Sequence, residues 1–302
     1  MSHFNTQKPI TFSVVFWSFI TLLFVLPFSM SHAQTAEEFG NVINLSGKQR
    51  MLTQKMSKEA VLIGLEINTA ENLKNLENTA TLFDKTLKGL RSGDASLKLP
   101  PTSSPRILKQ LDRVDALWAA YYPIVKSIIT NKAADPSQIE QIAEQNLPLL
   151  KQMNRAVGAY EKEAAKGGLK ANPGLATTIN LSGKQRMLTQ KMSKEFFLVA
   201  HQHMVADNKL NLLETFTLFE RTLQGLKAGD ESLGLPITSD ATILGQLDKV
   251  SNLWQEIKPL FEDAVGQGSQ ISAESIQKVA TLNLPLLKEM NKAVGMYEAQ
   301  TK

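Results

Sequence analysis

The chain has 302 residues, a formal net charge of +4, 43% hydrophobic residues, four histidines and no cysteine. Charge this mild and evenly mixed excludes a basic nucleic-acid binder, and the lack of thiols excludes disulfides, thiolate metal sites and redox chemistry. His201 and His203, two residues apart, point to different faces of a helix and cannot share a metal; with no placed nucleophile and base, no enzyme and no cofactor are expected.

Residues 1–33 read as a secretory leader, with Lys8 ahead of an apolar run from Ile10 to Met30 and a small-x-small site at Ser31, His32 and Ala33. Cleavage there sends the chain to the periplasm without a second span, so that it is not an integral membrane protein; an uncleaved anchor is the alternative, because the run is long enough to cross a bilayer.

From about Ala36 a helical pattern runs to Asn68, free of proline and weakened only at Gly40, Gly47 and Gly64. Asn68 and Thr69 offer a turn and cap. A second amphipathic helix follows on Leu73, Leu76, Leu82, Phe83, Leu87 and Leu90 and stops at Gly93. After a breaker-rich loop, Ser104 caps a third helix with Pro105 at its first position; its core face carries Leu108, Leu111, Val114, Leu117, Trp118, Ile124 and Ile128, and Pro123 should kink it. Asp135 and Pro136 repeat the cap signal for a fourth helix, disturbed at Pro148 and apolar at Leu147, Leu150, Met153, Val157 and Tyr160, which ends near Lys166. GGLKANPGL breaks the chain, and the plan then repeats, with Asp207 as the first cap, Trp254 and Pro259 matching Trp118 and Pro123, and Met290 and Tyr297 matching Met153 and Tyr160. No segment alternates like a strand. The expectation is an all-α fold of two tandem four-helix bundles, 34–166 and 173–302, joined by a linker at 167–172. An even number of antiparallel helices returns the chain to its starting end, so the two first helices can pack side by side.

One segment is identical in both repeats: INLSGKQRMLTQKMSKE spans Ile43 to Glu59 and again Ile179 to Glu195, while the flanks have diverged. At about 100° per residue it has three faces. Val42, Leu45, Leu52, Met56 and Ile63 form a core stripe, and Lys48, Lys55 and Lys58 form a face expected to stay in water. Ile43, Gly47, Arg50, Gln54, Ser57 and Val61 line up at heptad spacing with a small or polar middle. A helical glycine costs about 1 kcal/mol relative to alanine, so Gly47 and Gly183 imply close approach of another backbone.

If the two seams face each other, Arg50 meets Arg186. Two guanidiniums about 6 Å apart repel by about 2–3 kcal/mol at an effective dielectric near 20, and a planar oxyanion between them turns that cost into attraction. Gln54 and Gln190, one turn on, would add donors or a floor. The competing arrangements pair each arginine with a carboxylate of its own repeat, such as Glu59, or turn it outward. Trp118 and Trp254 read as packing, and the Gly-Asp pairs at Gly93 and Gly229 as turns.

INLSGKQRMLTQKM resembles the signature of the PilJ-type sensory domain of type IV pilus chemotaxis transducers, and also the ligand-binding helix of NarX-like nitrate/nitrite sensor kinases. The most specific part is Asn44, Gly47, Arg50 and Met51, with Asn180, Gly183, Arg186 and Met187. The resemblance implies a helical bundle which, in the nitrate sensors, dimerises and holds one nitrate between two copies of the first helix, through the arginine and the backbone near the glycine. It thus implies a small-anion ligand, nitrate or nitrite, at Gly47, Arg50, Gly183 and Arg186, to which the seam adds Gln54 and Gln190, and a membrane sensor or chemoreceptor as partner. The alternative is a structural or interaction module of a pilus or chemotaxis system with no small ligand.

Overall fold

Capping residues set where the helices begin. Thr35 and Glu38 form a reciprocal capping box at the start of α1 (Ala36–Gly64), and Asp135 and Gln138 do the same for α4 (Pro136–Lys166). Asn172, Asp240 and Ser272 each accept a backbone N–H at the starts of α5 (Pro173–Ala200), α7 (Ala241–Val265) and α8 (Ala273–Ala299). Between them lie α2 (Thr69–Ser92), α3 (Pro105–Asn131) and α6 (Val205–Ala228). This computed structural model describes residues 1–3, 34–170 and 172–302. The apolar run and cleavage site of the expected leader lie outside the described residues, and no described helix is long and apolar enough to cross a membrane.

The fold is all-α: two tandem four-helix bundles, α1–α4 and α5–α8, packed through α1 and α5, which share the most extensive helix–helix contact in the molecule. Helices α4 and α8 seat on the first helix of their own repeat and also touch that of the other. Each bundle has an aromatic centre. Phe83 and Trp118 meet at 4.5 Å in the first, and Phe219 and Trp254 at 5.0 Å in the second, which fits the packing role of the tryptophans.

Several local expectations change. Ser104 precedes α3, but its hydroxyl donates to Glu163 rather than capping the helix. The loop after α2 contains a small antiparallel pair, β1 (Gly93–Asp94) with β2 (Leu99–Pro101), around a tight turn at Ala95–Leu97 capped by Asp94. Gly93 and Gly229 sit at φ +84°, which an L side chain adopts only under strain. Helices α3, α4, α7 and α8 run through Pro123, Pro148, Pro259 and Pro285 without a break. Leu147 is 44% exposed; the core position is its neighbour Asn146, fully buried. Periodicity had no way to favour a polar residue there over the adjacent leucine.

The α1–α2 and α5–α6 turns place Asn68 and Met204 in the left-handed region, at φ +46° and +40°, as the residues preceding the helix. Asn68 makes no capping bond, and Asp207 falls in the first turn of α6 rather than at its cap. Asparagine tolerates this backbone and methionine does not. Met204→Asn is expected to stabilise the protein by about 0.5–1 kcal/mol, read as a higher urea midpoint; an unchanged or lower midpoint would show that the turn carries no strain.

Candidate functional site

The face of α1 carrying Ile43, Gly47, Arg50, Gln54, Ser57 and Val61 is buried throughout, as is its counterpart on α5. The two helices run in the same direction and in register, because equivalent residues meet across the seam. Arg50 Nη2 donates to the carbonyl of Asn180 and Arg186 Nη2 to the carbonyl of Asn44, both at 2.9 Å. Each Nη1 turns to an asparagine of its own bundle's fourth helix, Asn154 at 3.3 Å and Asn291 at 2.9 Å. Glu59 is not the arginine's partner, since it pairs with Lys55.

The glycines leave room for the guanidiniums rather than for a backbone. A Cβ on Gly47 would lie 3.2 Å from Arg50 Nη2 and 3.7 Å from Arg186 Nη2; on Gly183 it would lie 3.3 Å from Arg186 Nη2 and 3.6 Å from Arg50 Nη2. Both Nη2 atoms therefore rest over the same two glycines. Gln54 and Gln190 are fully buried on this seam, but each donates to the neighbouring threonine hydroxyl, Thr53 or Thr189. The structure thus brings four of the six expected site residues together and sets the glutamines apart as part of the packed wall.

Positive charge outweighs negative here, with Arg50, Arg186, Lys48 and Lys184 against the carboxylates of Glu161 and Glu298. Burial pulls Arg50 down to about 10 and Arg186 to about 9, the latter also pushed by Arg50. Lys48 and Lys184 are half-buried and likewise lowered, by burial first and by the opposite arginine second. Two carboxylates stand at the edge: Glu161 accepts from Asn180 Nδ2 and Glu298 from Asn44 Nδ2. Each asparagine therefore holds an arginine through its backbone and a carboxylate through its side chain. The Nε atoms of Arg50 and Arg186 are buried without a hydrogen-bond partner among the described residues. Such an orphaned donor costs about 1–3 kcal/mol.

A second polar layer lies two turns further on. Lys58, expected in water, is 3% exposed and donates across the interface to Asn283 Oδ1 at 2.8 Å; Lys194 reaches Asn146 Oδ1 at 3.3 Å. Asn283 also donates to the Thr189 carbonyl and Asn146 to the Thr53 carbonyl, so each bridges both bundles. The α1 face with Lys58 meets the other repeat, a contact that one helix's periodicity cannot reveal. Sequence reasoning also missed Asn154, Asn291, Glu161 and Glu298 as site residues. The signal was present: Met-Asn-x-Ala-Val-Gly-x-Tyr-Glu recurs at 153–161 and 290–298, and Asn-Leu-Pro-Leu-Leu at 146–150 and 283–287.

The buried ammoniums set a pH dependence. Burial pulls Lys58 and Lys194 down to about 8 from a free value of 10.5. Between those pH values the unfolded chain binds more protons than the folded one, so stability rises with pH. Above about pH 10 Tyr121 and Tyr160, raised by burial, oppose the trend, because unfolded tyrosines ionise there and folded ones do not, while the lowered Arg50 and Arg186 continue it. Urea midpoints are expected to climb from pH 8 towards 10; a steady fall over that interval would mean that the ammoniums are not desolvated.

Two helical bundles joined through a polar seam are one helical domain present twice. The profile of the PilJ family, described as "Type IV pili methyl-accepting chemotaxis transducer N-term", matches residues 33–145 and 169–279, and the chain belongs to that family. Over 123 residues, 41% of the chain, it is 28% identical to "Methyl-accepting chemotaxis protein McpN" of Pseudomonas aeruginosa; the match takes in 22% of that protein, so the chain spans about a fifth of the relative's length. The solved ligand-binding domain of the P. aeruginosa nitrate receptor McpN is 25% identical, with 42% of this chain and 97% of that domain covered and a TM-score of 0.34.

Proposed function

We propose that the chain is an exported, non-enzymatic sensory protein that binds one small planar anion, nitrate or nitrite, between Arg50 and Arg186 and relays its occupancy to a membrane chemoreceptor or sensor. On this proposal the leader is removed near Ala33, and 34–166 and 173–302 are two domains that share the site. The observation that carries it is the pair of buried guanidiniums over Gly47 and Gly183, each with an unpartnered Nε. The likeness over about one repeat's length to McpN, whose solved ligand-binding domain is that of a nitrate receptor, is the reason nitrate is the first anion to try.

A guanidinium edge offers two parallel donors that suit a planar oxyanion. Each Nη2 has two N–H groups and one recorded acceptor, the carbonyl of Asn180 or Asn44, so an anion that takes Nε and Nη2 competes with that carbonyl for the same nitrogen. Binding then trades part of two arginine–carbonyl bonds across the α1–α5 seam, in which only the donor is charged, for bonds to an ion, in which both partners are charged. That exchange alters how the bundles are tied, and it is the event a partner could sense.

Calorimetric titration of nitrate into residues 34–302 tests the proposal. One site per chain is expected; two equal sites would mean that each repeat binds alone. The reciprocal carbonyl bonds also favour a second reading, in which the arginines only lock the bundles together. No heat with nitrate, nitrite or other small oxyanions would select it.

A further inference from the structure

The pseudo-symmetry of the two repeats breaks at a groove between α4 of the first bundle and the α5–α6 corner of the second. A cavity of about 300 Å³ opens there, at the small end of the range for ligand pockets. Its lining includes Lys194 and Glu195, which are 3% and 1% exposed. Glu195 uses one oxygen for Lys191, and its Oε2 is buried with no hydrogen-bond partner among the described residues. The Lys194 ammonium has three donors and one recorded bond, the 3.3 Å contact to Asn146. A carboxylate and an ammonium thus lie side by side in one wall of this cavity, both buried, each with hydrogen-bonding capacity to spare.

The remaining lining gives the pocket its character. Leu147 and Met204, 44% and 58% exposed, supply apolar surface with Leu198, while the exposed carboxylates Glu144 and Asp207 make the rim acidic. His203 also lines it. At the equivalent positions of the other repeat the sequence has Ile67 for His203, Asn68 for Met204 and Thr281 for Glu144. Lys194 and Glu195 have counterparts in Lys58 and Glu59, whose Oε2 is likewise without a partner among the described residues, so what is particular to the second repeat is the rim formed by His203, Met204 and Glu144.

We propose that this cavity is a second ligand site, separate from the arginine seam, that takes a small zwitterion, a free amino acid with an apolar side chain. The ligand's ammonium meets Glu195 Oε2 under the acidic rim, its carboxylate takes the spare donors of Lys194, and its side chain lies against Leu147, Leu198 and Met204. A simple cation would leave the Lys194 donors unused, and a simple anion would face Glu195, Glu144 and Asp207. Because Asn146 links Lys194 to the Thr53 carbonyl of α1, a ligand that draws on Lys194 acts on a bond that joins the two bundles.

The test is a thermal-shift screen of residues 34–302 with the twenty L-amino acids, followed by calorimetry with leucine, isoamylamine (ammonium only) and 4-methylpentanoate (carboxylate only). Leucine or another apolar amino acid is expected to raise the melting temperature and bind once per chain, with the two half-ligands at least tenfold weaker. Asp207→Lys, on the exposed rim, should weaken binding at least tenfold without affecting folding, and Glu195→Gln should abolish it. Nitrate binding measured in Asp207→Lys should be unchanged, which keeps this site distinct from the seam. No shift with any amino acid, half-ligands equal to leucine, or full binding in Asp207→Lys and Glu195→Gln would each overturn the assignment.

Discussion

At the proposed site, Arg50→Ala is expected to lower nitrate affinity by about 1.5–3 kcal/mol, roughly tenfold to a hundredfold or more, the range for charge-assisted hydrogen bonds. Arg186→Ala should do the same, because the two guanidiniums rest over the same pair of glycines and each has an orphaned Nε. The double replacement should add much less than the sum of the two, since the residues serve one ion and the first change already breaks the site. Arg50→Lys tests shape separately from charge. An ammonium keeps the positive charge but lacks the planar fork, so binding should remain impaired. Titration calorimetry of the four variants checks all of this, and a double alanine variant with normal affinity would return the seam to a packing role.

Asn283→Leu is expected to destabilise the protein by about 1–3 kcal/mol at pH 7, the cost of leaving a buried donor without its acceptor. Asn283 is fully buried, accepts from the Lys58 ammonium at 2.8 Å, and donates to the Thr189 carbonyl and the Ser193 hydroxyl. Leucine keeps the volume approximately and removes all three bonds. Adding Lys58→Met should recover much of the loss, because the charge leaves with its partner. The single variant's deficit should shrink at pH 10, where Lys58, already lowered to about 8, is neutral. Urea unfolding at both pH values measures these terms. A deficit under 1 kcal/mol at pH 7 would show that water reaches the lysine.

The sequence made the helices and the pairing of the first helices legible because those follow from local signals: caps, apolar periodicity and an even helix count. Gly47 could be singled out because glycine is a poor helix former, and Arg50 because a charge at a heptad seam position is where an apolar residue is expected. The rest depended on what lies across the interface. Lys58 has the pattern of a solvated lysine until Asn283 is placed beside it, and Gln54 has the pattern of a site residue until its bond to Thr53 is seen. Asn154 and Glu161 sit on the fourth helix, more than a hundred residues from Arg50, and no spacing rule connects them. Their repetition at Asn291 and Glu298 was the available clue, and comparing the fourth helices as closely as the first would have found it.

The in-register meeting of Arg50 and Arg186 has a further consequence, because both lie on one polypeptide. A site assembled from two separate subunits falls apart on dilution, whereas here the halves stay at high effective concentration however scarce the protein is. Covalent linkage also removes the constraint of strict twofold symmetry. In a homodimer every substitution appears on both sides of the interface, but in this chain one half can keep Ile67 while the other adopts His203. A duplicated scaffold can thus retain a symmetric centre and still acquire a left side and a right side with different surfaces.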